Sequence, residues 1–131
     1  MEDRPPAVTV EDLISLNKRV LRYGGEHGIR YASTLAYAVD RPFLAFGGKP
    51  MYPSPYAKAA ALMEIIVQGH PFENGNKRTG LVAGSALLRV LTGKVMSVPK
   101  PVAIRVSEAV EAKRMDTADL ARWFYACAYY K

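Results

Sequence analysis

The chain has 131 residues, of which half are hydrophobic and 23% are charged. These values fit a globular fold and exclude an intrinsically disordered chain. The 18 Lys and Arg side chains outnumber the 12 Asp and Glu side chains, which gives a net charge of +6. Ten of those cations but only five of the acids lie in residues 70–131. This imbalance favours an anionic ligand there, although a solvated basic face would explain it equally well.

Cysteine content and the terminal segments indicate the compartment. Cys127 is the only cysteine, so no internal disulfide can form, as suits a reducing cytoplasm. The acidic, proline-bearing residues 2–6 lack the charged-then-apolar order of a signal peptide. The apolar stretch from Trp123 to Tyr130 is far shorter than the ~20 residues of a membrane span. We expect a soluble cytoplasmic protein that has no membrane partner and folds as a single domain over residues 1–131.

End signals mark the first two predicted helices. Thr9 and Asp12 form a capping-box pattern ahead of an apolar repeat, and Gly24-Gly25 ends this first helix. A shorter helix is predicted over Ser33–Asp40, because the residue before Pro42 disfavours helical backbone. Its expected inward side chains are Leu35, Ala36 and Val39.

The pattern changes to short apolar runs around glycine between Phe43 and Tyr56. Gly47-Gly48 suits a hairpin turn, because both central residues can take positive φ. Pro50 and Pro53 exclude a central strand. We therefore expect a small hairpin that forms an exposed edge, or flap.

The next two helices are predicted to be buried. Ser54 as N-cap and Pro55 at the first helical position begin a helix over Tyr56–Gln68, which Gly69 closes. This helix is small or apolar around most of its circumference, which places it in the middle of a bundle. The following helix begins near Asn76 and ends at Gly93. The residues between these two buried helices, from His70 onward, are thus held on rigid supports, as a catalytic site needs.

Two further helices complete the chain. Pro99 and Pro101 are expected to keep Val95–Pro101 extended or looped. Val102–Arg114 then follows a helical repeat, and the last helix is predicted from a cap at Thr117 to about Tyr130. The total of about six helices and one hairpin predicts an all-α domain.

The segment richest in chemistry is His70–Arg78, which reads His-Pro-Phe-Glu-Asn-Gly-Asn-Lys-Arg. It combines a titratable base, an aromatic anchor at Phe72, a small-residue loop and two adjacent cations, directly ahead of a helix. Backbone N–H groups at a helix start bind phosphate. A histidine beside a bound phosphate favours transfer chemistry. The segment therefore predicts a nucleotide-using transferase.

Each side chain of the segment has a candidate role. His70 is expected to act as general base when a hydroxyl attacks phosphorus, although a histidine can also simply cap the preceding helix. Gly75 lets phosphate approach the backbone, and Asn76 either caps the next helix or holds a phosphate oxygen. Lys77 and Arg78 are expected to neutralise charge on the transferring group, because two cations are otherwise unfavourable at the positive end of a helix dipole.

Residues 70–79, His-Pro-Phe-Glu-Asn-Gly-Asn-Lys-Arg-Thr, resemble the central motif of the Fic/Doc superfamily, and the Asn-Lys-Arg-Thr ending looks like its Doc (death-on-curing) toxin branch. The similarity in order and spacing covers most of the chain. Its other blocks are Gly28-Ile29-Arg30, Leu35, Arg41-Pro42, Gly47-Gly48, Tyr52-Pro53 and Lys58-Ala59-Ala60.

This resemblance implies a Fic/Doc-type helical bundle in which His70, Lys77 and Arg78 are catalytic. The implied nucleotide cradle runs from Gly75 to Arg78. The implied flap spans Phe43 to Tyr52 and would align a target peptide by strand addition to its free edge. The flap residues assigned to target binding are Phe46, Gly47, Gly48 and Tyr52.

The resemblance also implies a function, that of a Doc-like toxin of a toxin–antitoxin pair. Such a toxin would donate the γ-phosphate of ATP, with Mg²⁺, to a hydroxyl of a translation elongation factor, and a cognate antitoxin would inhibit it. General Fic enzymes carry glycine where Lys77 stands and transfer AMP. Their second arginine falls on Leu81 here. Both differences favour phosphate transfer over AMP transfer.

Asn74 departs from the family pattern, because it stands where the family has the acidic residue that holds Mg²⁺. An amide carries no net charge, so metal binding should weaken. Four explanations stay open. Either the phosphates alone hold the metal, Glu73 substitutes, the protein is inactivated (naturally or by design), or Asn74-Gly75 deamidates to aspartate.

Alternative functions follow from these features. One is an AMP transferase, and another is a protein that binds nucleotide or antitoxin but is inactive because of Asn74. Direct nucleic-acid binding is not expected, because the chain lacks a helix-turn-helix, zinc or aromatic-stacking signature. Trp123, Tyr129 and Tyr130 either line a groove for a partner helix or, as is commoner for aromatic residues, pack in the core.

Overall fold

A computed structural model of the protein describes residues 8–131, so the acidic segment at residues 2–6 lies outside the described residues. The described part contains six α-helices, which confirms the all-α prediction. They are α1 (Val10–Val20), α2 (Ala32–Asp40), α3 (Pro55–Gly69), α4 (Asn76–Thr92), α5 (Lys100–Glu111) and α6 (Thr117–Cys127). Four two-residue strands accompany them: β1 (Ala45–Phe46), β2 (Lys49–Pro50), β3 (Val95–Met96) and β4 (Ala128–Tyr129).

Helix α3 is the centre of the bundle. Ser54 caps it by accepting a hydrogen bond from the backbone of Ala57, as predicted. One face of α3, with Leu62 and Ile66, packs in a core cluster with residues of α1, α2 and α4. Another face, with Ala59 and Met63, packs in a second cluster with α4, α5 and α6. Because α3 is apolar on several faces, both clusters form around it.

Two glycines allow α3 and α4 to approach closely. A Cβ added to Gly80 would lie 2.7 Å from a Val67 side-chain carbon, and one added to Gly84 would lie 3.0 Å from the Ala59 carbonyl oxygen. The backbones therefore meet where larger side chains would hold them apart. This contact positions the loop that joins the two helices.

The predicted hairpin is present and ends in the predicted glycine turn. Strands β1 and β2 pair antiparallel, with Phe46 opposite Lys49. Gly47 and Gly48 have φ values of 58° and 78°, which suit glycine. Tyr52 lies after the end of β2, and its side chain is buried, so it is not an exposed residue of the hairpin.

A chain of polar contacts runs from below the hairpin to α6. The Nε of Arg41 donates to the Tyr52 hydroxyl at 3.0 Å, and the Arg41 guanidinium lies 3.7 Å from the Glu64 carboxylate. The hydroxyl of Thr117 donates to the same carboxylate at 2.9 Å. The ammonium of Lys58 donates to the Tyr52 carbonyl, and burial lowers the pKa of Lys58. These contacts fix the base of the hairpin to the bundle.

Several expected boundaries were wrong, mostly near the C-terminus. Helix α5 begins at Lys100, because Pro101 lies in the first turn, where a missing N–H costs nothing. Asp116, not Thr117, caps α6 through a capping box with Asp119. The pKa of Asp119 is lowered, chiefly by its hydrogen bond with the Asp116 backbone. Burial opposes this shift, and the Asp116 and Arg122 side chains add to it.

A second small sheet was not predicted. Helix α6 ends at Cys127, and β4 then pairs antiparallel with β3, with Val95 opposite Tyr129. Pairing between segments so far apart in the sequence is not visible in local pattern. Ala36, expected inward, is exposed on α2, and Ala38 is buried instead. No helix within residues 8–131 has the length and apolarity needed to cross a membrane.

Candidate functional site

The loop between α3 and α4, residues 70–75, is hereafter the motif loop. Both of its ends have left-handed backbone, since φ is 48° at His70 and 76° at Gly75. Gly69 is therefore the last residue of α3, and His70 is its C-cap. A non-glycine residue in this conformation stores strain, and such strain is concentrated at functional positions. At Gly75 a Cβ would also lie 3.1 Å from the Leu21 side chain, so only glycine fits without strain.

The middle of the motif loop is held by Phe72 and Asn76. Phe72 is fully buried, as expected of an anchor. Its backbone N–H donates to the Asn76 side-chain oxygen at 3.0 Å, and the Asn76 amide donates back to the Phe72 carbonyl at 2.9 Å. The Asn76 side chain thus closes the loop on itself. Its backbone, at the start of α4, is the part available to an anion.

A second segment runs beside the motif loop. The Arg30 N–H donates to the Pro71 carbonyl at 2.7 Å, and the Glu73 N–H donates to the Gly28 carbonyl at 2.8 Å. These hydrogen bonds join the stretch after α1 to the loop as an isolated bridge. The loop therefore has backbone support on its outer side.

Asn17 of α1 ties the motif loop to α4 from beneath. It is fully buried, and its Nδ2 donates to the Asn74 carbonyl at 2.8 Å and to the Thr79 hydroxyl at 3.1 Å. Its Oδ1 lies 2.7 Å from Nδ1 of His27. Because the two donated bonds fix the amide orientation, the proton of this pair must sit on His27 Nδ1.

Sequence reasoning missed Asn17 and His27. One signal was available for the first, since Asn17 lies four residues after Leu13 on the apolar stripe of α1. A polar residue on a buried stripe needs a partner, and here its partners lie in the motif.

A polar cavity of about 340 Å³ opens at the motif loop. It brings together the residues predicted for catalysis and nucleotide binding, together with Asn74. The lining residues are His70, Glu73, Asn74, Gly75, Asn76, Lys77, Arg78 and Glu111. The flap residues Phe46, Gly47, Gly48 and Tyr52 do not line this cavity.

Glu111 is the third residue of the site that sequence reasoning missed. Its carboxylate, at the end of α5, lies 3.3 Å from the Lys77 ammonium and 3.9 Å from Nε2 of His70. All three side chains are 37–43% exposed, so water weakens this ion pair. Glu111 places a carboxylate beside Lys77 and His70, where an anionic ligand would also be favoured.

Arg78 and Glu73 have other partners. One guanidinium N–H of Arg78 donates to the Val20 carbonyl at the end of α1, at 2.9 Å. This leaves other donors of its fork for a ligand. The Glu73 carboxylate lies 3.8 Å from Arg30 and pairs with it.

The geometry fits phosphate groups but not a protein-bound Mg²⁺ ion. Gly75 offers no side-chain cap to α4, so the first N–H groups of the helix face the end where two cations stand. Asn74, at the expected metal position, uses its side-chain Nδ2 to donate to the Glu26 carbonyl at 3.0 Å. Residues 8–131 contain no cluster of three or more His, Cys, Asp or Glu side chains suited to a metal.

Sequence comparisons relate the chain to known proteins. A sequence model described as the Fic/DOC family matches residues 7–88, which include the whole of His70–Arg78. A protein called Toxin Doc from Mycolicibacterium smegmatis is 34% identical over 80 residues. The aligned region covers 61% of this chain and 60% of that protein.

Proposed function

Because the chain belongs to the Fic/DOC family, whose members typically use nucleotides for transfer reactions, we propose that it is a Doc-like toxin of a toxin–antitoxin pair. It would transfer the γ-phosphate of ATP to a hydroxyl group of a translation elongation factor in the cytoplasm. The observation that carries the proposal is the polar cavity, where His70, Lys77 and Arg78 surround the uncapped start of α4.

Phosphate binding follows from the start of α4. The N–H groups of its first turn have no side-chain cap, and the helix dipole places partial positive charge there. Lys77 adds a point charge, and Arg78 adds a fork that can hold two oxygens. Without an anion, these two cations would oppose the dipole.

The Glu111 carboxylate must move away from Lys77 when polyphosphate binds. Its carboxylate contacts Lys77 at 3.3 Å, and a phosphate oxygen there would compete for the same ammonium. An exposed ion pair is worth only about 0.2–1 kcal/mol, whereas a phosphate brings more charge. The exchange therefore favours the ligand.

In the proposed reaction, His70 accepts the proton of the target hydroxyl. The hydroxyl oxygen forms a bond to the γ-phosphorus while the bond from that phosphorus to the β–γ bridging oxygen breaks. The hydroxyl proton passes to the imidazole, and ADP leaves with the electron pair. Lys77 and Arg78 stabilise charge on the transferring group. The side-chain set at Asn74 does not fit a metal, so no step is assigned to one.

The hairpin would hold the target protein. Each of its two strands has a free edge over residues 45–50, and an extended peptide can pair with such an edge. The Phe46 side chain is 69% exposed, which offers an apolar contact for the peptide. A cognate antitoxin is the expected inhibitor, in line with the relative named Toxin Doc.

The test is to incubate the protein with an elongation factor and ATP labelled at the α or γ phosphorus. We expect label from the γ position alone on the factor. We also expect the His70→Ala variant to transfer none while it still binds ATP. Label from the α position would instead establish an AMP transferase. Binding of neither ATP nor inorganic tripolyphosphate would refute the proposal.

A second candidate function is supported by Asn74. Asn74 has no carboxylate to hold a metal, and its amide donates to the Glu26 carbonyl instead. In this second function the chain binds nucleotide or antitoxin without turnover. Aspartate at this position would lose that donor and set a carboxylate against a carbonyl oxygen. If Asn74→Asp restores label transfer that the natural chain lacks, this second function is the right one for the natural chain.

A further inference from the structure

The chain has three asparagines, and their surroundings differ. Asn17 is fully buried, and the side chain of Asn76 is tied to the Phe72 backbone by two hydrogen bonds. Asn74 is exposed and is followed by Gly75. Because glycine has no Cβ, nothing crowds its nitrogen when that nitrogen approaches the asparagine side chain. A reaction between side chain and backbone therefore meets least hindrance at Asn74.

Such a reaction begins when the Gly75 N–H loses its proton. No backbone carbonyl within residues 8–131 accepts a hydrogen bond from this group. Gly75 is the N-cap of α4, where the helix dipole and the cations Lys77 and Arg78 favour negative charge. The nitrogen anion is therefore more stable here than in an unfolded chain.

Asn17 stabilises the same anion from the other end of the peptide bond. The negative charge is shared between the nitrogen and the Asn74 carbonyl oxygen, because amide resonance joins these atoms. Asn17 Nδ2 donates to that oxygen at 2.8 Å. A hydrogen bond to a charged acceptor is roughly twice as strong as one to a neutral acceptor. The bond thus strengthens as the anion forms, as bonds in an oxyanion hole do.

We propose that Asn74 is a site of self-modification, at which the fold promotes conversion of the side-chain amide to a carboxylate. The Gly75 nitrogen, having lost its proton, attacks Cγ of Asn74. The bond from Cγ to Nδ2 breaks, and ammonia leaves with a proton, so that a succinimide ring remains. Water then opens the ring at either carbonyl carbon and yields aspartate or isoaspartate. The net reaction consumes one water and releases one ammonia.

The product changes the charge of the polar cavity. A neutral amide in the lining becomes a carboxylate, close to Glu73 in the same lining. The donor to the Glu26 carbonyl is also lost. Because added negative charge opposes an anionic ligand, we expect the affinity for tripolyphosphate to fall about 1.4- to fivefold, the range for one exposed charge. This effect rests on the proposed function, whereas the reaction itself does not.

Mass spectrometry tests the reaction. The natural protein is incubated in neutral, metal-free buffer and sampled over several days. Trypsin releases residues 59–77, which contain both Asn74 and Asn76, so fragment masses assign the change to one of them. Hydroxylamine traps the ring by cutting the chain between residues 74 and 75. We expect conversion at Asn74 and none at Asn76. An intact Asn74, or equal conversion at both, would overturn the proposal.

Two variants test the contribution of the fold. Asn17→Ala removes the donor to the Asn74 carbonyl. Thr79→Val is its matched control, because the Thr79 hydroxyl accepts from the same Asn17 amide at 3.1 Å, so this variant loosens the network but keeps that donor. We expect conversion to be about fivefold slower in Asn17→Ala than in Thr79→Val, since a hydrogen bond to a charged acceptor is lost. Equal or faster conversion in Asn17→Ala would show that the fold does not promote the reaction.

The natural protein in urea gives a second measure that needs no variant. The unfolded chain keeps the Asn-Gly sequence and lacks both the helix dipole and the Asn17 contact. We expect conversion to be slower in the unfolded chain than in the folded protein. Faster conversion in urea would refute promotion by the fold, even if Asn17→Ala fails to fold.

Calorimetry tests the effect on the ligand, with tripolyphosphate added to natural protein before and after incubation. Asn74→Gln is the control, because its ring would need an additional carbon and closes far more slowly. Its affinity should be the same before and after incubation, while that of the natural protein falls. Unchanged affinity of converted natural protein would overturn the effect on the ligand. If fresh natural protein binds no tripolyphosphate, the proposed function fails, and mass spectrometry still decides whether Asn74 is modified.

Discussion

His70 carries both the proposed base and a left-handed backbone. Its φ of 48° turns the chain sharply out of α3, so that the imidazole and the start of α4 share one cavity. For an L-residue this conformation costs about 1–2 kcal/mol. The strain is borne by the residue whose position matters most to the proposed reaction.

This strain gives a prediction about two variants that both lack the imidazole. We expect His70→Gly to be more stable than His70→Ala, by up to about 1 kcal/mol, because glycine adopts positive φ freely but loses more entropy on folding. Urea unfolding measures the difference. A His70→Ala variant that is the more stable of the two would show that this backbone is unstrained.

In the proposed function, Glu111 competes with the ligand for Lys77. Replacing it by glutamine removes the carboxylate from Lys77 but keeps the side-chain shape. We expect Glu111→Gln to bind tripolyphosphate about 1.4- to fivefold more tightly, which corresponds to the ~0.2–1 kcal/mol of an exposed pair. Glu108→Gln, one turn earlier on α5 and exposed, is the control in the same calorimetric measurement. Unchanged affinity in Glu111→Gln would exclude competition.

At the scale of residues, the sequence predicted the motif members and missed their partners. His70, Gly75, Lys77 and Arg78 are contiguous, so local pattern places them together. Asn17 meets the Asn74 carbonyl across 57 positions, and Glu111 meets Lys77 across 34. Such partners are set by the packing of α1 and α5 against α4, which composition and spacing do not encode.

At the scale of elements, the contact between α3 and α4 decides where the motif loop stands. Gly84 packs against buried Phe124 and the Ala59 carbonyl, at 2.9 Å and 3.0 Å from an added Cβ. We expect Gly84→Ala to lower the free energy of unfolding by about 1–3 kcal/mol through overpacking, although alanine is the better helix former.

Gly24→Ala is the control for that measurement by thermal or urea unfolding. A Cβ at Gly24 would meet nothing within 4 Å, and its φ is not positive. It should therefore be neutral or slightly stabilising. Equal effects of the two substitutions would mean that the α3–α4 contact is loose.

The tie from α1 to the motif loop is a second element-scale feature. Asn17→Ala would leave the Asn74 carbonyl and the His27 N–H without their partner. We expect a loss of about 1–3 kcal/mol in the free energy of unfolding, with faster hydrogen exchange in residues 73–75. Ser15→Ala, at an exposed position of α1, should stay within ~0.5 kcal/mol. Unchanged exchange in Asn17→Ala would contradict a positioning role.

Helix-scale prediction succeeded where end signals are local. The Thr9 capping box, the Ser54-Pro55 start and the Gly93 end all lie where the sequence placed them. Prediction failed where the same local pattern is compatible with two structures. Pro101 was treated as a helix breaker, yet at the first turn it starts α5. Residues 128–129 continue an apolar helical pattern, yet they pair with β3 because that partner lies beside them in the fold.

At the scale of the whole molecule, the net charge of +6 bears on ligand binding. Raising the salt from 0.1 M to 1 M shortens the Debye length from about 10 Å to about 3 Å. We expect the affinity for tripolyphosphate to fall at least about threefold over this range, as measured by calorimetry. The local cations, and not the total charge, should account for most of the fall.

Two variants separate local from total charge, since each lowers the net charge by one. Lys77→Gln removes a cation of the polar cavity. Arg89→Gln removes an exposed cation twelve residues along α4, about 18 Å away at 1.5 Å per residue. We expect only Lys77→Gln to reduce the salt dependence. Equal reductions would assign it to the field of the whole protein.

The two left-handed residues at the ends of the motif loop also bear on how fast and how tightly an anion is captured. His70 and Gly75 have left-handed backbone, Phe72 is fully buried, and the Asn76 amide donates to the Phe72 carbonyl. These features hold the backbone of the motif loop in one conformation in the absence of a ligand. If the proposed polyphosphate binds there, the loop backbone loses little conformational entropy. Selectivity among anions then depends on how well each one fits the loop, not on a backbone rearrangement.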